Sequence, residues 1–470
     1  MGIISAEGIS FPATVPLLVI GAGACGLVAG LAAKDKCTDV VLLERDPVPR
    51  GSTALSSGMI PACGTRLQIE ADVDDAAEIM AADIQKKAQG EADHRLVDAI
   101  CRASGPTIDW LIDQHGIELT LVKGFLYPGH SRLRMHAPSS RTGEDLVGSL
   151  TRAAETAGVD LMTDAHVTDL VADKDDRIAG VRLQRPDGSS EYIGCESLIL
   201  ACNGYGGNPA LVRQYLPEMS DALYFGHTGN QGDAIVWGAA LGARLGHLGA
   251  YQGHGSVAHP HNILITWALM MEGGIQVNTA GKRFSNEHLG YSEQARAVLA
   301  QPGGIAWNIY DQRLHILGRE FEDYRQAEEV GAIVWAADHS RLAKETGIPA
   351  DAMLHTLEQV AAFVDGHDDP FGRDFTENRA LEPPYCAVKV TGALFHTQGG
   401  IVVDENARAL KVDGHPFPNL FAGGGAACGV SGSADRGYLS GNGLLTAVVL
   451  GRLAAIAAVN QVNGKSRFQR

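Results

Sequence analysis

Residues 16–26 read PLLVIGAGACG, an apolar run entering a glycine-rich turn, and residues 40–44 read VVLLE, a second apolar run closed by an acid. This order predicts a strand, a tight turn, a helix and a second strand. Gly21 permits the turn, Gly23 lets the backbone approach a pyrophosphate, and Gly26 lets the helix pack closely on the strand. Phosphates favour the N-terminus of such a helix because its first N–H groups are unpaired. The sequence therefore predicts a dinucleotide site.

Further segments rich in glycine and hydroxyl side chains can also pass along an extended cofactor. They occupy residues 50–60, 197–207, 228–233 and 419–425, before a closing helix at about 441–458. The acid Glu44 can accept hydrogen bonds from the hydroxyls of an adenosine ribose. The predicted cofactor-binding residues are Gly21, Gly23, Ala24, Gly26, Glu44, Arg45, Gly51, Ser52, Thr53, Ser57, Gly58, Ala201, Gly204, Asp233, Gly424, Gly425, Gly441, Asn442 and Leu444.

Composition narrows the class of protein. The chain has 470 residues, a formal net charge of −17 and 20% charged residues, which argues against binding of nucleic acid. No apolar stretch approaches the roughly 20 residues of a membrane span, and the first residues lack the pattern of a signal peptide. The 8 cysteines are scattered and form no metal-binding or iron–sulfur spacing. We expect a cytoplasmic protein without a membrane span and without a metal site.

The middle of the chain differs in character from its two ends. Residues 254–395 are less regular and contain Trp267, Trp307 and Trp335, after which glycine-rich sequence of the cofactor type returns. This pattern predicts a discontinuous cofactor domain, residues 1–253 and 396–470, with a second domain, residues 254–395, inserted into it.

Taken in order, these segments resemble the fumarate reductase and succinate dehydrogenase flavoprotein superfamily, which includes the 3-ketosteroid dehydrogenases. The resemblance implies an α/β fold in which a Rossmann-like domain binds FAD and an inserted α+β capping domain covers the substrate. Covalent members attach FAD through a histidine in the segment that matches residues 51–60. That segment contains no histidine here, so we expect noncovalent FAD.

The resemblance also suggests site residues of the fumarate reductase type. Two histidines and an arginine bind the substrate carboxylates in those enzymes, and the matching residues here are His254, His396 and Arg436. The arginine that donates the proton is replaced by Tyr291. The acid and the arginine that feed protons to it are replaced by Trp267 and Met270, so the charged relay of a dicarboxylate reductase is absent.

The ketosteroid dehydrogenases are similar to the chain at this point. They place a tyrosine after an Asn-Glu segment, where it exchanges a proton with the carbon next to a ketone; Tyr291 matches it. A second tyrosine and a backbone N–H four residues later bind the ketone oxygen, which suggests Tyr438 and the N–H of Asn442 for these roles.

The sequence thus favours an FAD-dependent oxidoreductase that acts on a CH–CH bond next to a carbonyl, with the proton passing through Tyr291. Dehydrogenation and enone reduction both remain open, and the substrate is expected to be an apolar carbonyl compound. One alternative is a reductase or dehydrogenase of an unsaturated acid, with Arg436, His254 and His396 as a carboxylate clamp. Another is a flavin-binding protein without catalysis. A second dinucleotide fingerprint is not visible, so the electron donor or acceptor is left unassigned.

Overall fold

The computed structural model describes residues 2–468 of the chain, and the side chains of residues 2–464. The strands are β1 Gly2–Ser5, β2 Thr14–Ile20, β3 Val40–Leu43, β4 Ile60–Pro61, β5 Thr120–Leu121, β6 Met135–Ala137, β7 Asp160–Met162, β8 His166–Ala172, β9 Ile178–Gln184, β10 Ser190–Leu200, β11 Leu223–Tyr224, β12 Leu245–Gly246, β13 Tyr251–Ala258, β14 Ile263–Leu264, β15 Ile275–Val277, β16 Ile305–Asp311, β17 Ile333–Ala336, β18 Tyr385–Thr397, β19 Gly400–Ile401, β20 Arg408–Leu410 and β21 Pro416–Ala422. The helices are α1 Ala24–Lys34, α2 Gly51–Ala54, α3 Arg66–Glu70, α4 Ala77–Lys87, α5 His94–His115, α6 Gly143–Thr156, α7 Pro209–Tyr215, α8 Asp233–Leu241, α9 Ala268–Met271, α10 Tyr291–Leu299, α11 Gln312–Gly318, α12 Glu322–Glu329, α13 His339–Thr346, α14 Ala350–Val364 and α15 Asn442–Phe468.

The larger sheet has nine strands, among them β2 and β3. These two strands, with α1 between them in the chain, are the predicted strand, turn, helix and strand. Five strands of this sheet are parallel, in the order β7-β3-β2-β10-β21. Strands buried on both faces read as continuous apolar runs, as β2 and β3 do. The expected α/β fold with a Rossmann-like FAD domain is confirmed.

Two glycines of the first turn are required by close backbone contacts. Gly21 has a φ of +104°, and a Cβ on it would lie 2.5 Å from the carbonyl oxygen of Ala201. A Cβ on Gly26 would lie 1.9 Å from the carbonyl oxygen of Gly21. The turn therefore closes tightly enough to bring the start of α1 to the carboxyl ends of β2 and β10.

The second sheet has seven strands, and the 13-residue β18 is its centre, pairing with β11, β13, β16 and β17. Because β18 runs through residue 395 and β13 begins before residue 254, strands of this sheet continue across both proposed domain boundaries. The division into residues 254–395 and the remainder stays a prediction.

Helix α10 lies directly on the second sheet because the sheet presents glycines to it. A Cβ on Gly392 would lie 2.3 Å from the carbonyl oxygen of Ala295, and one on Gly253 would lie 2.7 Å from the Ala295 side chain. The N–H of Gly253 also donates to the hydroxyl of Ser292, with the two atoms 3.0 Å apart. These contacts hold Tyr291, the first residue of α10, beside β13.

Contrary to the expectation that no apolar stretch approaches the length of a membrane span, one helix among the described residues, α15, has a segment that is long and apolar enough, residues Asn442–Gly464. About 61% of its most apolar window is buried inside the protein. A Cβ on Gly451 would lie 2.4 Å from the carbonyl oxygen of Cys25 in α1. Its apolar composition is thus explained by packing against α1 in the core.

Candidate active site

A continuous pocket runs from the glycine turn after β2 to the place where α10, β18 and the start of α15 meet. Most of the predicted cofactor residues line it, as do the predicted catalytic residues Tyr291, Tyr438, His254 and His396. The predicted residues that do not line it are Gly26, Gly58, Gly204, Asn442 and Arg436.

Three of these are packing glycines. A Cβ on Gly58 would lie 2.6 Å from the carbonyl oxygen of Thr142, and one on Gly204 would lie 2.0 Å from the hydroxyl of Thr397. A Cβ on Gly26 would likewise collide with the carbonyl oxygen of Gly21. These glycines let backbone segments approach each other behind the pocket, and a direct contact of the three with the cofactor stays a prediction.

Glu44 is held in place at one end of the pocket by backbone donors. The N–H of Ala22 donates to Glu44 Oε2 at 2.9 Å, and the N–H of Asp46 donates to Oε1 at 3.1 Å. Each carboxylate oxygen keeps a free lone pair. The carboxylate is therefore fixed in a position where it can accept ribose hydroxyls.

The lining of this part of the pocket fits a dinucleotide. Within the described residues, His166 Nε2 and Trp237 Nε1 are buried polar atoms without a hydrogen-bond partner, and both residues line the pocket. Such groups are costly unless a ligand satisfies them. The N-termini of α1 and α15, which favour negative charge, border the same pocket. No cluster of three or more His, Cys, Asp or Glu in the described part of the chain could hold a metal ion.

An aromatic stack forms the other end of the pocket. The ring of His254 stacks on Tyr291 with 4.8 Å between centroids and on Phe395 with 5.2 Å. Trp267 meets the edge of His254 at 5.7 Å, and Tyr438 lies 6.1 Å from Tyr291. The two tyrosines, which are far apart in the sequence, thus share one chamber with apolar walls.

Burial sets the protonation of these groups. It raises the pKa of Tyr291 to about 12, although the hydroxyls of Ser440 and Tyr438 act in the opposite direction. The pKa of Tyr438 lies well above the ordinary value because of burial and of the neighbouring Tyr291. Burial lowers the pKa of His254 to about 3 and that of His396 to about 4. At neutral pH both phenols are protonated donors and both imidazoles are uncharged.

Arg436 does not contribute to this chamber. It lies in the short 3-10 turn Asp435–Gly437, is exposed, and is absent from the pocket lining. Two residues later, Tyr438 is 5% exposed and lines the pocket. The turn directs the Arg436 side chain outward, away from the chamber, so its role in substrate binding stays a prediction that the lining of the pocket does not support.

The N–H of Asn442 is also unavailable to a substrate. It donates to the carbonyl of Leu439 at 3.0 Å. The N–H of Gly443 is the one that approaches the phenol, with its nitrogen 3.5 Å from Tyr438 Oη. The Gly443 N–H is therefore directed at Tyr438 itself, and the Tyr438 hydroxyl in turn donates toward Tyr291, whose pKa it lowers.

Several side chains of the chamber were not predicted from the sequence. Ser440 lines the chamber and its hydroxyl lowers the pKa of Tyr291. Gln398 lines the chamber and is hydrogen-bonded to His396. Tyr127 reaches the chamber from a distant loop and donates to Met59 Sδ at 3.1 Å. Ser440 and Gln398 each lie two residues from a predicted site residue, Tyr438 and His396, and this proximity in sequence could have identified them. No feature of the sequence indicated that Tyr127 would reach the chamber.

Comparison with known proteins places these features in context. The family model described as "FAD binding domain" matches residues 17–444. The chain is 30% identical over 446 residues to "Probable fumarate reductase Ifc3" of Shewanella frigidimarina, covering 94% of this chain and 74% of that protein.

Two solved structures are similar along nearly the whole chain. The open conformation of a flavocytochrome c3 fumarate reductase has a TM-score of 0.80 and 28% identity, covering 96% of this chain and 79% of the other. The 3-ketosteroid-Δ4-(5α)-dehydrogenase from Rhodococcus jostii RHA1, in complex with 4-androstene-3,17-dione, has a TM-score of 0.77 and 25% identity, covering 97% and 99%.

Proposed function

The chain belongs to the fumarate reductase and succinate dehydrogenase flavoprotein superfamily of FAD-dependent oxidoreductases, and from that premise we propose that it acts on the C–C bond next to the carbonyl of an uncharged, largely apolar substrate. Reduction of an enone and dehydrogenation of a ketone are the two directions of this one reaction. The proposal concerns the substrate class and the residues that carry the proton.

The main support for this proposal is that the described side chains lining the chamber carry no positive charge. Among the described residues that line the pocket, Arg45 is the only arginine or lysine. It adjoins Glu44 at the opposite end. Both histidines of the chamber are uncharged, and Arg436 lies outside it. A dicarboxylate would be buried there without a cation, which is strongly unfavourable, whereas a ketone needs only hydrogen-bond donors.

The chamber offers those donors together with a proton source. Tyr438, positioned by the Gly443 N–H, can donate to the carbonyl oxygen as negative charge develops on it. A donor of this kind contributes about 3–4 kcal/mol in other enzymes. Tyr291 can transfer its phenol proton to the carbon next to the carbonyl and recover a proton from water afterwards. FAD, when bound, exchanges a hydride with the next carbon.

Both similar structures support the fold and the flavin site, and one of them also supports the substrate class. The ketosteroid dehydrogenase was solved with an apolar enone, the substrate class that suits a chamber walled by Trp267 and Phe395. We therefore favour a cyclic apolar enone over fumarate.

The proposal is tested by mixing the photoreduced enzyme anaerobically with single acceptors and following the return of the oxidised flavin absorbance. We expect fast reoxidation with 4-androstene-3,17-dione or a smaller cyclic enone, and slow reoxidation with fumarate. Fast reoxidation by fumarate alone would overturn the assignment.

The variant Arg436→Ala separates the two substrate classes. If Arg436 binds a carboxylate, its loss removes turnover; if the chamber takes an enone, turnover is unchanged because the side chain is exposed. Tyr291→Phe is the matched change inside the chamber, and in the same assay it should lower turnover.

A further inference from the structure

A chain of buried polar side chains leads to His396 from behind the chamber. Asn442 Nδ2 donates to Ser431 Oγ at 3.0 Å, and Ser431 Oγ donates to Gln398 Oε1 at 2.8 Å. Gln398 Nε2 then donates to His396 Nδ1 at 2.8 Å. Asn442, Ser431 and Gln398 are 0%, 1% and 4% exposed, so solvent does not compete for these bonds.

Two groups compete for the same nitrogen of His396. The carbonyl of Thr397 lies 3.3 Å from Nδ1 and can only accept, so alone it would place the ring proton on Nδ1. The Gln398 amide, which is closer, donates to Nδ1 and thereby places the proton on Nε2. Ser431 fixes the orientation of that amide, because its hydroxyl donates a hydrogen bond to the amide oxygen of Gln398. Asn442 in turn donates to one of the two lone pairs of the Ser431 hydroxyl.

The other nitrogen of His396 lies at the substrate end. A Cβ on Gly443 would lie 2.5 Å from His396 Nε2, which places this nitrogen at the start of α15. The ring of Tyr438 is 5.7 Å away. An Nε2–H here is a second donor beside the phenol, whereas an unprotonated Nε2 would be an acceptor and would repel a carbonyl oxygen.

We propose that Gln398, Ser431 and Asn442 are positioning residues that hold His396 as a neutral Nε2–H donor into the substrate chamber. The contribution to turnover rests on the proposed function, but the tautomer itself does not. Asn442, predicted as a direct cofactor and oxyanion contact, has in this arrangement an indirect role through two side chains.

The tautomer is measured by nitrogen NMR of the FAD-loaded enzyme with 15N-labelled histidine, with the His396 signals assigned by their loss in His396→Gln. We expect an unprotonated Nδ1 and a protonated Nε2 in the unaltered enzyme. In Gln398→Glu, which keeps the volume but can only accept, the proton should move to Nδ1. Gln326→Met, a change at an exposed glutamine of α12, is the control and should leave the His396 signals in place.

Ser431→Ala provides a second variant should Gln398→Glu not fold. It frees the Gln398 amide to rotate, so both nitrogens should show intermediate shifts. A proton on Nδ1 in the unaltered enzyme, or an unchanged tautomer in both variants, would overturn the proposal. If the tautomer moves as expected but no enone is turned over, the positioning role holds and the proposed substrate class fails.

Discussion

At the scale of single residues, the chamber is defined by what burial does to four ionisable side chains. The phenols of Tyr291 and Tyr438 keep their protons and the imidazoles of His254 and His396 stay uncharged. Donors without net charge suit a carbonyl better than a carboxylate. The proposed chemistry thus depends on a few hydroxyl and N–H groups whose loss can be tested individually.

Tyr291→Phe should keep FAD bound and the fold intact, because only one hydroxyl is lost. We expect turnover to fall by about 10²–10⁴, the usual contribution of a positioned acid or base. Rapid-reaction measurement of flavin reoxidation by the preferred acceptor checks this. Turnover within a few-fold of the unaltered enzyme would remove Tyr291 from the reaction.

The pH dependence should differ between the two directions. Since the pKa of Tyr291 is raised to about 12, the phenol is protonated throughout the neutral and mildly alkaline range. Reduction, which needs the protonated form, should not lose rate through this group until pH approaches its pKa. Dehydrogenation needs the phenolate, so its rate should rise with pH over the same range.

Ser440→Ala should widen this difference. The Ser440 hydroxyl lowers the pKa of Tyr291, so its removal raises that pKa further and slows dehydrogenation more than reduction. The ratio of the two rates at one pH is the measurement. Ser433→Ala is the control, because Ser433 is exposed and bonds to Glu91; a similar ratio in both variants would contradict the role of Ser440.

At the scale of elements, the position of Tyr291 depends on how closely α10 lies on the second sheet. Gly392 in β18 and Gly253 in β13 provide the flat surface for this contact. Tyr291, the proposed proton donor, is at the first turn of that helix, so a shift of α10 displaces the phenol relative to Tyr438. A displacement of 1 Å can cost about 10²-fold in rate.

Gly392→Ala should therefore lower both stability and turnover. The added Cβ would lie 2.3 Å from the Ala295 carbonyl oxygen, and overpacking of this kind costs about 1–3 kcal/mol. Gly148→Ala in α6 is the matched control: its Cβ would meet only the tip of Arg152 at 3.4 Å, so it should be neutral or stabilising. Urea unfolding and turnover of both variants test this; equal effects would contradict it.

At the scale of the whole molecule, elements of both sheets contribute residues to one pocket, which contains the predicted cofactor site and the chamber. The residues proposed to contact FAD come from segments as distant as Glu44 and Gly425, and the chamber adds residues from α10, β18 and α15. Because no histidine occurs at residues 51–60, we expect FAD to be released when the protein is precipitated with acid. Yellow colour retained in the washed precipitate would contradict this.

Buried histidines should make the whole molecule sensitive to acid. Burial lowers the pKa of His130, His136 and His396 to about 4 and that of His254 to about 3. The unfolded chain takes up these protons near pH 6.5, so the free energy of unfolding should be constant from this source above pH 6.5 and fall as pH decreases toward 4. Urea unfolding with saturating FAD measures this.

His136→Gln should reduce that slope. His136 is fully buried, bonds to Thr65 and to the carbonyl of Arg134, and does not line the pocket, so the variant tests stability without altering the site. An unchanged pH slope would show that other groups dominate the acid response.

The α/β fold, the glycine turn for FAD and the presence of two tyrosines in the chamber could all be predicted from the amino-acid sequence. Gly21, Gly26 and Glu44 could be read directly because the chemistry of a strand, turn and helix is local: spacing within about 25 residues decides it. Tyr291 followed from its replacement of the proton-donating arginine, and both tyrosines followed from the resemblance to the ketosteroid dehydrogenases.

Which side chains face the chamber depends on packing between distant segments and could not be predicted from the sequence. Arg436 and Tyr438 are two residues apart, and the 3-10 turn sends one outward and the other inward. The N–H of Asn442 is already bonded to Leu439, so the donor shifts to Gly443. Gln398, Ser431 and Asn442 come together across 44 residues of chain, and their hydrogen-bond directions depend on burial that no local pattern encodes. Orientation and desolvation arise from packing between distant segments, which is why they became visible only in the folded chain.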